Sequence, residues 1–258
     1  MEAELCAPAK FALGLGDEEP AVYSSRMPTP AAEPARFQRA SDQSLLIYFG
    51  QQITLDAHER VRKFLLLLEQ EPVAGVCNLH PAYCSVLVKF DALQWRHEQL
   101  EEILKQYLDR MEDVTLPVPR QVEIPVCYGG EYGPDLMGVS ETHGITPEQV
   151  IEIHSSSTYI VYFLGFVPGF AYLGELPEAL VTPRLATPRR RVPPGSVGIA
   201  GRQTGVYPVA TPGGWRLLGR TPISIFRPDR DGFSLLSIGD RVRFTPIDQE
   251  QFAALERA

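Results

Sequence analysis

The 258-residue chain is poor in cysteine and tryptophan, with four and two, and carries only five histidines. Cys6, Cys77, Cys84 and Cys127 form no C-x-x-C pair, which argues against a zinc knuckle or a thioredoxin-like redox motif. Scattered cysteines in a chain of this length read as reduced, cytosolic thiols packed as small hydrophobes. There is no H-E-x-x-H or paired-His cluster to suggest a metal, no P-loop pattern and no Rossmann glycine fingerprint. The longest uncharged run, Ser155 to Gly174, is broken by Pro168 and three glycines, so it lacks the roughly 20 apolar residues of a membrane span. The N-terminus lacks the basic-then-apolar pattern of a signal peptide. These absences point to a cytoplasmic protein with no membrane partner. A net charge of -8 argues against nucleic acid as a partner of the whole chain.

What is present divides the chain in three. Residues 1–40 hold five prolines among Ala, Glu and Ser without periodicity, and read as a poorly ordered extension. Residues 41–120 read as a small α/β domain. Ser44–Phe49 is strand-like, and Asp56 with Glu59 resembles a capping box ahead of the stripe Val61, Phe64, Leu65, Leu68. Gly75–Leu79 and Cys84–Phe90 are strand-like, and Trp95 to Leu108 has a helical apolar face. With Val122–Val126 the order is β-α-β-β-α-β, a ferredoxin-like pattern, although that last strand equally suits the opening of a second domain. Residues 121–250 hold a short helix, to about His154, marked by Thr146, Pro147 and Gln149 as N-cap, first helical residue and capping-box partner. Short strand candidates follow at Tyr159–Leu164, Ser196–Ala200, Ile223–Phe226, Ser234–Ile238 and Arg241–Pro246, which argues for a β-barrel or sandwich.

Charge is unevenly placed. Between Ala179 and Pro228 there are eight arginines, no lysine and no acidic residue. This stretch carries +8, leaving -16 on the rest. Arg presents a planar fork that fits carboxylate or phosphate bidentately. The cluster suggests a small-anion site or an acidic partner surface, although any single Arg also has carboxylates elsewhere on the chain to pair with. The turns Gly165-Phe166-Val167-Pro168-Gly169-Phe170 and Pro212-Gly213-Gly214-Trp215 allow close backbone approach, and equally suit tight barrel turns.

The segments GFVPGFAYLGELPEALVTPR and ATPRRRVPPGSVGIAGRQTGVYPVATPGGWRLLGRTP resemble the signature of the family of B-type subunits of bacterial 5-oxoprolinase. That family also includes the sporulation kinase inhibitor subunit KipI and allophanate hydrolase subunit 1. IPVCYGGEYGPDLMGV and ITPEQVIEIHSS match it too, so the resemblance runs from about Asp42 to Ile247. Departures are the N-terminal extension and Glu175, where glycine is commoner. The resemblance implies an α+β chain: a small ferredoxin-like α/β N-terminal domain followed by a cyclophilin-like β-barrel, similar to the carboxyltransferase region of urea carboxylase. It implies that the chain acts with the C-type 5-oxoprolinase subunit, which has a related barrel, and with the A-type one, converting 5-oxoproline to glutamate with ATP and water. A histidine-kinase inhibitor and a component of urea or allophanate metabolism are the alternatives.

Opening the stable cyclic amide calls for phosphorylation of its oxygen and then hydrolysis, so a carboxylate and a transferring phosphoryl group need holding. Arg189, Arg191 and Arg220 are expected to supply charge, and Gln203, Thr204 and Ser196 hydrogen bonds. Tyr172, Tyr207 and Trp215 are expected to wall a pocket shaped by Phe166, Pro168, Gly169, Gly213 and Gly214. His154, Gln203 and Arg220 are the candidate catalytic groups. His154 suits a general base or a C-terminal helix cap. The other histidines read as surface or loop residues. ATP is expected to bind together with a partner chain, and no metal is expected.

Overall fold

The computed structural model describes residues 34–229 and 232–257. The fold opens with β1 (Arg36–Ser41), β2 (Ser44–Tyr48), α1 (Leu55–Gln70), β3 (Val76–Pro81), β4 (Ser85–Phe90) and α2 (His97–Asp109). The four strands form one antiparallel sheet in the order β1-β2-β4-β3. Thr54 caps α1, its hydroxyl accepting from the Ala57 N–H at 3.1 Å, so the expected capping residue Asp56 lies inside the first turn. Val61, Phe64, Leu65 and Leu68 then recur on one face and bury against Leu45, Ile47, Val86 and Val88 of the sheet.

This sheet corrects the ferredoxin-like expectation. The strand after α2 does not return to it. The edge beside β2 is instead filled by β1, from the end of the stretch expected to be unordered. Residues 1–33 of that stretch lie outside the described residues.

The second half runs through β5 (Gln121–Tyr128), α3 (Leu136–His143), α4 (Pro147–Ser156), β6 (Thr158–Leu164), β7 (Ala171–Gly174), β8 (Arg189–Val192), β9 (Ser196–Ala200), β10 (Gln203–Val206), β11 (Thr211–Gly213), β12 (Arg216–Arg220), β13 (Arg241–Ile247) and α5 (Gln249–Glu256). Seven strands close a barrel in the order β10-β7-β6-β13-β5-β12-β9, and closure leaves no open edge. Among the described residues, only the β5–β13 pairing is parallel. β8 and β11 pair separately as a two-stranded flap. Ile124, Val126, Tyr159, Val161, Val197, Ile199 and Phe244 fill the interior.

α4 starts as its sequence dictates. Thr146 accepts from the Gln149 N–H at 3.2 Å, Gln149 accepts from the Thr146 N–H at 2.8 Å, and Pro147 takes the first helical position. Ile223–Phe226 and Ser234–Ile238 are not strands. Among the described residues they pair through one isolated bridge, Phe226 to Ser234.

Candidate functional site

A third apolar cluster sits outside the barrel core: Phe170, Val192, Ala200, Tyr207, Trp215 and Leu217, with Val167 and Tyr172 against them. The rings meet mostly edge to face. Phe170 lies 5.0 Å from Tyr172, 5.3 Å from Tyr207 and 5.4 Å from Trp215, at interplanar angles of 66°, 75° and 85°. They wall a cavity of about 290 Å³, near the lower limit for small-ligand sites. Phe166 stands at its rim, 61% exposed, on a backbone with φ 70°. Gly213 forms part of the floor because a Cβ there would lie 2.9 Å from Tyr207 Cζ. Among the described residues, Arg184 is the one charged side chain lining the cavity.

The structure therefore brings Phe166, Tyr172, Tyr207, Gly213, Gly214 and Trp215 together as the sequence suggested, and adds Phe170, Arg184, Pro188 and Pro212. Pro168 and Gly169 shape the adjoining turn. Gly169 has φ 82°, and a Cβ there would lie 2.6 Å from Phe226 Cβ.

Several expected site residues lie elsewhere. His154 has no exposed surface and stacks on Phe244 inside the barrel, ring centroids 4.7 Å apart. Thr204 donates to the Gly198 carbonyl at 3.1 Å, so its oxygen accepts from His154 Nε2 at 2.9 Å. His154 Nδ1 is then left to accept from the Tyr128 hydroxyl at 2.8 Å. Burial lowers its pKa to about 3. A neutral, enclosed imidazole with both nitrogens satisfied is a core group, neither an accessible general base nor a helix cap. Thr204 is committed to the same network, and Ser196 is 1% exposed within the barrel wall.

Arg189 is also committed. It pairs with Asp135 at 2.7 Å, and the other Asp135 oxygen accepts from the Leu217 N–H at 2.7 Å. Arg191 is exposed on β8 and does not line the pocket. Arg220 sits between Tyr132 and Phe252, 4.7 and 5.2 Å from their ring centroids. It lines a separate cavity of about 270 Å³ with Thr221, Ser224 and Glu256, and none of that lining is shared with the aromatic pocket. The Gln203 amide donates to the Tyr83 hydroxyl. His58, expected at the surface, is 2% exposed.

Among the described residues, no group of three or more His, Cys, Asp and Glu is placed to hold a metal. No helix among them is long and apolar enough to cross a membrane.

The barrel with its preceding α/β sheet is the architecture of a carboxyltransferase domain: the family model "Carboxyltransferase domain, subdomain C and D" matches residues 35–236. The chain is 38% identical over 229 residues to the B-type 5-oxoprolinase subunit of Bacillus subtilis, covering 85% of this chain and 95% of that protein. It is 61% identical over 145 residues to the B-type 5-oxoprolinase subunit of Escherichia coli O157:H7, covering 56% of this chain and 66% of that one. Of solved structures, TTHA0988 superposes with TM-score 0.71 at 37% identity, over 80% of this chain and 40% of that one. The urea amidolyase of K. lactis shares the fold, with TM-score 0.69 at 20% identity over 85% of this chain and 15% of that one. Within the carboxyltransferase-domain proteins, the chain belongs to the family of B-type 5-oxoprolinase subunits.

Proposed function

We propose that this chain is the B-type subunit of an ATP-dependent 5-oxoprolinase, which converts 5-oxo-L-proline to L-glutamate in the cytoplasm. The observation that carries the reading is the near full-length likeness to the Bacillus subtilis protein. The aromatic pocket supports it, because a small lactam offers a flat, mostly apolar ring to walls of Tyr, Phe and Trp.

In this reading the chain works with a C-type subunit, which has a related barrel, and an A-type subunit. ATP binds jointly with those partners and transfers its terminal phosphoryl group to the amide oxygen. Water then attacks the activated carbon, the C–N bond breaks, and phosphate leaves. Catalysis of such a transfer is mainly positioning and charge stabilisation. The role of this chain's pocket is to hold the ring in one orientation and keep bulk water off its faces.

The test is co-expression with candidate A-type and C-type subunits, followed by measurement of glutamate from 5-oxo-L-proline with and without ATP. ATP-dependent glutamate is expected. A correctly assembled complex that makes none rejects the reading.

A further inference from the structure

The arginines between Ala179 and Pro228 differ in what each guanidinium already holds. Arg189 is paired with Asp135, Arg202 with Glu178 and Glu175, and Arg227 with Asp229. Arg220 lies between two rings, and Arg216 reaches the Pro183 carbonyl at 3.5 Å. Arg190 and Arg191 are exposed on β8, outside the pocket lining. That leaves Arg184. Its side chain is exposed like those of Arg190 and Arg191, but it lines the aromatic pocket, and it makes no ion pair among the described residues.

Its position is set by its neighbours. Leu185 N–H donates to the Gly214 carbonyl and Gly201 N–H to the Thr182 carbonyl, both at 2.7 Å. The backbone on either side of Arg184 is thus tied to the pocket floor and to the barrel. Its charge is also felt around the pocket: it opposes the rise that burial imposes on the phenols of Tyr83, Tyr172 and Tyr207.

We propose that Arg184 is the carboxylate anchor of the aromatic pocket, which takes a small flat-ringed molecule bearing a single carboxylate. This deepens the oxoprolinase reading and rests on it for the identity of the ligand. A guanidinium matches a carboxylate bidentately, with two parallel N–H···O bonds. The remaining lining is uncharged, so one arginine meets one carboxylate and the ring lies against the aromatic walls. The chain of phosphates on a nucleotide would find only this one cation, which places ATP outside this pocket.

The experiment is calorimetric titration of the full chain, alone and in the co-expressed complex, with 5-oxo-L-proline and with its carboxamide. The acid is expected to bind at least about tenfold more tightly than the amide. Arg184→Gln should weaken the acid about tenfold to a hundredfold and abolish that preference, consistent with loss of a charge-assisted pair. Arg184→Lys should restore only part of it, and Arg190→Gln should bind as the unsubstituted chain does. Melting curves confirm that each variant folds. Acid binding unchanged in Arg184→Gln, no preference for acid over amide, or no acid binding in either preparation overturns the anchor. Glutamate production by the complex is scored separately. Turnover with a KM indifferent to Arg184 removes the anchor alone. Arg184-dependent carboxylate binding without turnover removes the enzyme reading alone.

Discussion

Tyr83, in the turn between β3 and β4, accepts a hydrogen bond from the side-chain amide of Gln203 at the start of β10. Its ring lies 4.9 Å from Phe163 at 86° and 6.2 Å from Tyr172. Phe163 stacks on Tyr172 at 4.5 Å, and Tyr172 lines the pocket. A residue from the turn between two strands of the first sheet thereby backs one wall of the cavity.

Tyr83→Phe keeps the ring and removes only the hydroxyl, so a loss of about 0.5–1.5 kcal/mol is expected from one hydrogen bond. Tyr83→Ala removes the support behind Tyr172 and should cost about 2–4 kcal/mol, as expected for a large half-buried ring. Urea denaturation measures both. The Ala variant should also raise KM for 5-oxo-L-proline more than it lowers kcat, with the Phe variant close to the unsubstituted protein.

His58 and His154 make stability fall with acid. Burial, with Arg62 and Arg241 nearby, lowers the His58 pKa to about 4, and burial lowers that of His154 to about 3. The unfolded chain therefore binds protons first, near the ordinary value of about 6.5. Stability is full above that pH and is lost as pH falls toward 4 and then 3. His58 has no hydrogen-bond partner on either ring nitrogen among the described residues and lies edge-on to Tyr162 at 4.8 Å. His58→Leu should therefore be neutral or stabilising at pH 7 and should flatten the upper part of the acid loss. Melting temperatures at pH 7, 5.5 and 4.5 measure this. A steeper acid loss in the variant would contradict it.

Asp135 ties Arg189 of β8 to the Leu217 N–H of β12. Asp135→Asn keeps an acceptor but leaves Arg189 without its counter-charge, at a cost of about 1–3 kcal/mol. Asp135→Ala should cost more because it also orphans the Leu217 N–H. Chemical denaturation ranks the two. Equal stability of all three proteins would show that the pair does not hold the flap.

Gly213→Ala drives a methyl group into the Tyr207 ring. About 1–3 kcal/mol of destabilisation is expected from overpacking, together with weaker binding of 5-oxo-L-proline as the wall shifts. Gly214→Ala is the contrast: its Cβ would meet nothing closer than Pro188 Cγ at 3.6 Å, so packing there should be undisturbed.

Local signals explain what the sequence revealed. The start of α4 was legible because Thr146, Pro147 and Gln149 decide it among themselves. β2 and β6 were legible as apolar runs, and β13 by the alternation of Val242 and Phe244 with Arg241, Arg243 and Thr245. β7, β8, β10, β11 and β12 are three to five residues long in a stretch dense with Gly, Pro and Arg, too short for alternation to register. α3 was missed because Gly138 interrupts its eight residues. The pocket's aromatics stood out by composition. Arg184 did not stand out from seven other arginines, because which guanidinium is left free depends on carboxylates distant in sequence. Asp135, for example, lies 54 positions from the Arg189 it occupies. His154 misled for a related reason: its partners Tyr128 and Thr204 are 26 and 50 positions away.

The parallel pairing of β5 with β13 has a consequence for how the molecule is made. Arg120 and Asp240, 120 positions apart, hold each other just ahead of the first paired residues, Gln121 and Arg241. The first barrel strand to leave the ribosome must wait beside an empty place until the last one is synthesised. The other strands, β5 with β12 included, can find a neighbour earlier, but β5 and β6 each keep one open side and the cylinder stays unsealed until residues 241–247 appear. A nascent chain halted before Arg241 should consequently be aggregation-prone and protease-sensitive in its second half, while the first sheet, complete by Phe90, is already protected.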